Sequence, residues 1–238
     1  MDDEIKKTLT ALRKRHINAF FAADVATARQ KTVSLVPEGA VVGLGDSTTA
    51  RQMDITQALR EKGARVLNPF EVTSNEDRER LHHDATLCDV FLAGTNALTR
   101  DGRLVNVDAV GNRVAGMFWG HPLSIVIVGK NKIVRDLDEA FTRIRQVIAP
   151  THFRIRTVEM GGKARNTPCV ATGECGDCRA TDRGCNVFTI IEGKPIYTDL
   201  NVIIVDQDLG LGWDPAWPAE RIAQIREHYK KFVWVRRP

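Results

Sequence analysis

Residues 40–67 read Ala-Val-Val-Gly-Leu-Gly-Asp-Ser-Thr-Thr-Ala-Arg-Gln-Met-Asp-Ile-Thr-Gln-Ala-Leu-Arg-Glu-Lys-Gly-Ala-Arg-Val-Leu. The apolar run Ala40–Leu44 has the length of a buried strand. Gly45-Asp46-Ser47-Thr48-Thr49 is a turn, and Ser47 or Thr48 can cap the helix that follows. That helix carries Met53, Ile55 and Leu59 and ends near Gly63, and Ala64–Leu67 returns to strand character. Strand, turn, helix and strand in this order form a βαβ unit, which requires a parallel sheet.

Upstream, residues 3–22 place Ile5, Leu9, Leu12, Ile17, Phe20 and Phe21 close to a helical stripe, and a second helix spans Ala26–Leu35 before Pro37-Glu38-Gly39. Downstream comes a polar helix at 75–86, whose His82 and His83 read as solvated surface, then a buried strand at Cys88–Ala93. Asp101-Gly102 between Leu98 and Leu104 is a hairpin signal. A helix from about Gly111 to Trp119 ends at Gly120-His121-Pro122, and Leu123–Val128 is another buried strand. Asp136–Ile148 is amphipathic through Leu137, Ala140, Phe141, Ile144 and Ile148. Asn186–Ile191 and Asn201–Val205 return to strand, Trp213 and Trp217 staple the tail, and Ala219 to about Tyr229 is helical. The expected fold class is α/β, a mostly parallel sheet with helices on both faces. Residues 1–238 form one domain, with a Cys-rich loop inserted at 161–186.

Composition narrows the function. With 43% hydrophobic and 27% charged residues over 238 positions, the chain is ordinary for a globular protein. No apolar run is long enough to span a membrane. The charged N-terminus lacks the apolar core of a signal peptide, so the expected location is cytoplasmic. The net charge of +4 is modest, and the basic residues are scattered apart from Lys230, Lys231, Arg236 and Arg237. Nucleic-acid binding is not expected, because a basic stripe with stacking aromatics is missing.

Three segments carry chemistry. In Gly43-Leu-Gly45-Asp-Ser47-Thr48-Thr49, glycines allow close backbone approach, and a helix start with hydroxyls suits a phosphate or carboxylate. Asp46 opposes an anion, and a plain capped turn is the alternative. The second segment holds Gly94, Thr95 and Asn96 after a strand, then Asn106, Asp108, Asn112 and Arg113. Polar groups at the C-terminal edge of a parallel sheet are where open α/β proteins bind ligands, although Asp101, Gly102 and Asp108 also serve a hairpin. Lys130-Asn131-Lys132 either faces the same edge or forms a solvated turn. The third is Cys169-x5-Cys175-x2-Cys178-x6-Cys185, where four thiolates in a polar loop suit a metal. A [4Fe–4S] cluster is favoured and zinc is the alternative; Arg165, Arg179 and Arg183 offset the thiolate charge. No catalytic residue is assigned.

Val42–Thr49, the run Gly94–Asn106, Gly111–Ala115 and Val128–Val134 together resemble the LUD-domain (lactate utilization) family, with the Cys loop of a subset of its members. The resemblance covers roughly residues 3–150 and, more loosely, 186–210. It implies a fold similar to ribose-5-phosphate isomerases and coenzyme A transferases. It also implies a role in oxidising lactate or another small organic acid alongside iron–sulfur partner subunits. The alternatives are an isomerase or transferase acting on a sugar phosphate or acyl-CoA, and a zinc-stapled binding protein without chemistry.

Overall fold

A computed structural model describes residues 1–236, which leaves Arg237 of the basic cluster outside the described residues. In chain order the first half comprises α1 (Asp3–Lys14), β1 (Asn18–Ala22), α2 (Val25–Leu35), β2 (Val41–Leu44), α3 (Thr48–Gln52), α4 (Ile55–Glu61), β3 (Arg65–Leu67) and α5 (Asn75–Asp84). There follow β4 (Val90–Gly94), β5 (Ala97–Thr99), β6 (Leu104–Asp108), α6 (Asn112–Gly116), β7 (Leu123–Gly129) and β8 (Ile133–Val134). The last third holds α7 (Leu137–Arg143), α8 (Ala149–Arg154), α9 (Pro168–Thr172), β9 (Val187–Ile191), β10 (Asp199–Val205) and α10 (Ala219–Phe232).

Six strands in the order β1-β10-β7-β4-β2-β3 make a wholly parallel sheet. Its central strands are apolar on both faces, as burial between helix layers demands. Alternation sorts them cleanly. Val90, Leu92, Ile125, Ile127, Ile203 and Val205 face α2, α3 and α4 through Ala28, Ala50, Met53 and Leu59. Phe91, Ala93, Val126, Val128, Val202 and Ile204 face α1 through Ile5, Leu9 and Leu12.

The Asp101-Gly102 hairpin grows into something the sequence reading left as a ribbon. Strands β8-β5-β6-β9 form a second sheet, antiparallel except for the β5–β8 pair. Leu98, Leu104, Ile133 and Ile191 pack it onto the α1 side of the main sheet. Its other face, Ala97, Val105 and Val134, builds a third core with Ile144, Val147, Trp213, Ile225 and Tyr229. The two-residue stagger of each strand therefore serves two cores at once.

Three expectations are corrected. The stripe of residues 3–22 breaks at His16 (φ 60), and Asn18–Ala22 pairs with β10 instead of continuing the helix. Helical spacing of Ile17, Phe20 and Phe21 competes there with a free sheet edge, and the edge wins. The helix expected through Met53 and Leu59 is two helices, separated by Asp54 at φ 49. The helix expected to stop at Ile148 instead runs on to Glu159, through π-helical turns at Ile144–Ile148 and Ile155–Glu159. A widened turn leaves the preceding carbonyls less dependent on the N–H that Pro150 lacks, so the proline sits at the start of α8 without ending the run. Among the described residues no helix is long and apolar enough to cross a membrane.

Candidate functional site

Strands β2, β4 and β7 end side by side, so the turns after them meet at one edge. A cavity of about 200 Å³ opens there, roughly seven water volumes, which suits a small metabolite. Ser47, Thr48 and Thr49 come from the first turn, Gly94, Thr95 and Asn96 from the second, and Lys132 from the third. Asp108 and Arg113 reach it from the second sheet and α6, and His152, Arg156, Arg165 and Tyr229 close it from the C-terminal third.

Arg113 organises this edge. It is buried, and its guanidinium donates to the carbonyls of Gly94 (2.9 Å) and Val107 (2.7 Å) and to the side-chain oxygens of Asn106 (3.1 Å) and Asn96 (3.0 Å). Its Nε lies 3.4 Å from the Asp108 carboxylate. With its donors consumed, Arg113 contributes charge and order to the wall rather than a hydrogen bond to a guest. Thr95 completes the network by donating to Asn106 (3.0 Å). The Asn106 amide nitrogen and Asp108 Oδ2 are buried without a hydrogen-bond partner.

The glycines act by absence of bulk. A Cβ at Gly45 would sit 2.8 Å from Arg113 Cγ, and one at Gly94 would sit 2.8 Å from Ser47 Oγ. At Gly43 it would meet Cys88 Sγ at 2.8 Å, well behind the site. Gly43, Gly45, Asn106 and Asn112, expected at the ligand, are thus supporting residues that do not line the cavity. Asn112 instead meets His82 Nδ1 at 3.0 Å, so His82 is half-buried and engaged, not solvated. His121, expected in a turn, lies between α6 and β7 and is buried, stacked on Phe91 and 3.3 Å from Cys88 Sγ. Of the two readings of the first turn, the capped one is what the structure displays. Helix α3 has 5 residues, and Ser47 already caps it by accepting from Ala50 N at 3.2 Å. Asp46 lines the cavity but is paired with Arg51 at 2.7 Å. Burial works to raise its pKa, and Arg51 and Arg156 outweigh that and hold it below the ordinary carboxylate value.

Lys132 is the turn residue that gains most from the structure. Only 6% exposed, its ammonium nitrogen bonds Thr49 Oγ1 (3.1 Å) and the Thr95 carbonyl (3.0 Å). No carboxylate among the described residues pairs with it. Burial, then the charge of Arg113, bring its pKa down to about 7. Room for the amine comes from Gly210 (φ 70), where a Cβ would stand 2.6 Å from Lys132 Nζ. Asn131 and Gln52 fix that loop through Leu209 N (2.9 Å) and Gly210 N (2.7 Å).

His152, Arg156 and Tyr229 were not singled out from sequence, because nothing local ties them to an edge 100 residues away. Arg156 Nη1 lies 3.1 Å from His152 Nε2, and because a guanidinium only donates, that nitrogen accepts. Nδ1 then carries the proton and donates to Tyr229 Oη at 2.6 Å. Burial, followed by Arg156, pushes the His152 pKa to about 3, so the ring stays neutral. Burial, followed by Asp46, raises Tyr229, which stays a phenol.

Cys169, Cys175, Cys178 and Cys185 all border one smaller cavity beside the first. Arg183 ties the loop together, donating to the carbonyls of Cys178 and Cys185 and to Asp177 (2.9 Å). The thiols are free, and burial, then Cys175, raises Cys185 to about 11. Among the described residues no group of three or more His, Cys, Asp or Glu converges closely enough to hold a single metal ion. Ala149, Phe153, Gly184 and Cys185 belong to both cavities, so one wall serves the two.

The family model of the LUD domain matches residues 5–205. Among solved structures, the chain is similar to a DUF162 family protein from Deinococcus radiodurans, at 15% identity over 86% of this chain and 97% of that one, with a TM-score of 0.47. It is also similar to ribose 5 phosphate isomerase A from Neisseria gonorrhoeae, at 18% identity over 57% and 65% of the two chains, with a TM-score of 0.32. Likeness this distant speaks to neither ligand nor reaction. No curated protein matches. Since the match runs from α1 to the last residue of β10, the chain belongs to the LUD-domain family.

Proposed function

We propose that the edge cavity binds a small organic acid and that the cysteine loop beside it holds an iron–sulfur cluster, in the oxidation of lactate or a related acid. The observation that carries this reading is the shared wall, with Cys185 bordering both spaces. Family membership supports a role related to lactate utilization. On the binding side, Arg156 and Arg165 supply positive charge, and Ser47, Thr48 and Asn96 supply polar groups for a carboxylate. The volume favours a few heavy atoms over a coenzyme A thioester. On the cysteine side, four cysteines bordering one space are a donor set that suits an iron–sulfur cluster, with zinc as the alternative. A bound cluster supplies one-electron transfer, and the partly exposed cysteines leave a route to an iron–sulfur partner subunit.

Anaerobic reconstitution tests both halves. The expected product is brown, with iron and sulfide in equal amounts, and Cys175→Ser abolishes the colour while leaving acid binding intact. A colourless protein with stoichiometric zinc overturns the redox half. Absence of any melting shift with lactate, pyruvate or similar acids overturns the ligand half.

A further inference from the structure

We infer that Lys132 is a nucleophilic amine that forms an imine with the carbonyl carbon of a small 2-oxo acid bound in the edge cavity. This rests on the reading that the cavity takes small organic acids, and it narrows their class. The geometry leaves room for a free amine. A neutral amine has two N–H donors and one lone pair, and Lys132 Nζ has two neutral oxygens within hydrogen-bond distance, Thr49 Oγ1 and the Thr95 carbonyl. Donating to both leaves the lone pair for the cavity that the residue lines. Every lysine held for structural charge wants an anion beside it. Here no carboxylate among the described residues pairs with it, and the charge that acts on it is Arg113, a cation; a neighbouring cation is one way buried lysines are activated as nucleophiles. Its depressed pKa, about 7, agrees.

The remaining wall supplies what the reaction needs. Arg156 and Arg165 offer charge for the carboxylate of the oxo acid. The amine adds to the carbonyl carbon to give a carbinolamine. Loss of the former carbonyl oxygen with two protons, as water, then leaves the C=N bond. Tyr229, a phenol hydrogen-bonded by His152, is the available proton donor for the departing oxygen. No oxidant or reductant enters, so the step is independent of the cysteine loop.

The test is reductive trapping of the full-length protein with pyruvate and borohydride, followed by peptide mass spectrometry. The expected adduct sits on Lys132 and forms on the order of a thousandfold faster than on surface lysines, reflecting the larger free-amine fraction near neutral pH. Lys130, ion-paired with Asp206 at 3.0 Å, is the internal control. Lys132→Arg and Lys132→Met should both lose the adduct, and circular dichroism spectra like the parent's would show that the loss does not come from misfolding. Equal labelling of Lys130 and Lys132 with the melting shift intact overturns the imine and leaves acid binding standing. No shift with any small acid, together with no adduct, overturns both readings.

Discussion

Arg113 and Lys132 bring two basic side chains to one cavity and do different work there. Arg113 is spent on four protein acceptors, whereas Lys132 holds only two neutral ones. This difference has a pH signature. Between the folded pKa of about 7 and the ordinary 10.5, the unfolded chain carries a proton on Lys132 that the folded chain does not. Stability attributable to this residue therefore rises as pH rises through that window. Arg113, Thr49, Thr95 and Gly210 face the amine, and Asp46, Asp108, Arg156, His152 and Tyr229 share the cavity, so the comparison is made against Lys132→Met, in which they are unchanged. Urea melts should show the parent gaining on the variant from pH 7 to pH 10; parallel curves would mean that the buried lysine is charged throughout. Gly45→Ala is the second residue-scale test. Its methyl must displace the Arg113 stem, which four hydrogen bonds hold in place, so affinity for small acids should fall at least several-fold in calorimetry. The sequence revealed these residues unequally. Gly45, Gly94 and Asn96 stand out because packing does not call for them, but Lys132 in Lys-Asn-Lys is indistinguishable from a solvated turn until Gly210 is folded against it.

Helix α6 shows how much an element depends on one missing side chain. Gly116 rests on Phe91, and an added Cβ would lie 2.6 Å from the ring. That ring is itself stacked on His121 at 12° and cannot retreat. Gly116→Ala should cost about 1–3 kcal/mol in denaturant unfolding, as overpacked cores do. It should also loosen Arg113, which α6 carries. Strands β2, β4, β7 and β10 were readable because burial on both faces gives short, wholly apolar runs. The helical run from 137 to 159 was only half readable. Proline is a fair stop signal, and the two π-helical turns that let the run pass Pro150 leave no mark in local composition. Those turns carry His152 and Arg156 to the cavity. The element that sequence cut short is the one that supplies the missed half of the site.

At the scale of the molecule, a parallel sheet and a smaller, mostly antiparallel one share a core, and the tail helix α10 seals the third cluster with Ile225 and Tyr229. The parallel sheet followed from one βαβ unit. The second sheet did not, because β6 meets β9 across about 80 residues, and only tertiary pairing brings them together. Family membership was legible from the same central segment that the structure places at the sheet edge. The common wall of Ala149, Phe153, Gly184 and Cys185 has one more consequence. Two sites that share wall residues can be thermodynamically linked, and any such linkage is reciprocal. If filling the cysteine cavity tightens acid binding tenfold, the acid must tighten metal retention tenfold, about 1.4 kcal/mol either way. Acid titrations of the metal-free and loaded protein, set beside chelator competition with and without acid, should return the same ratio. The occupant of either chamber would then act as a gauge of what the other contains.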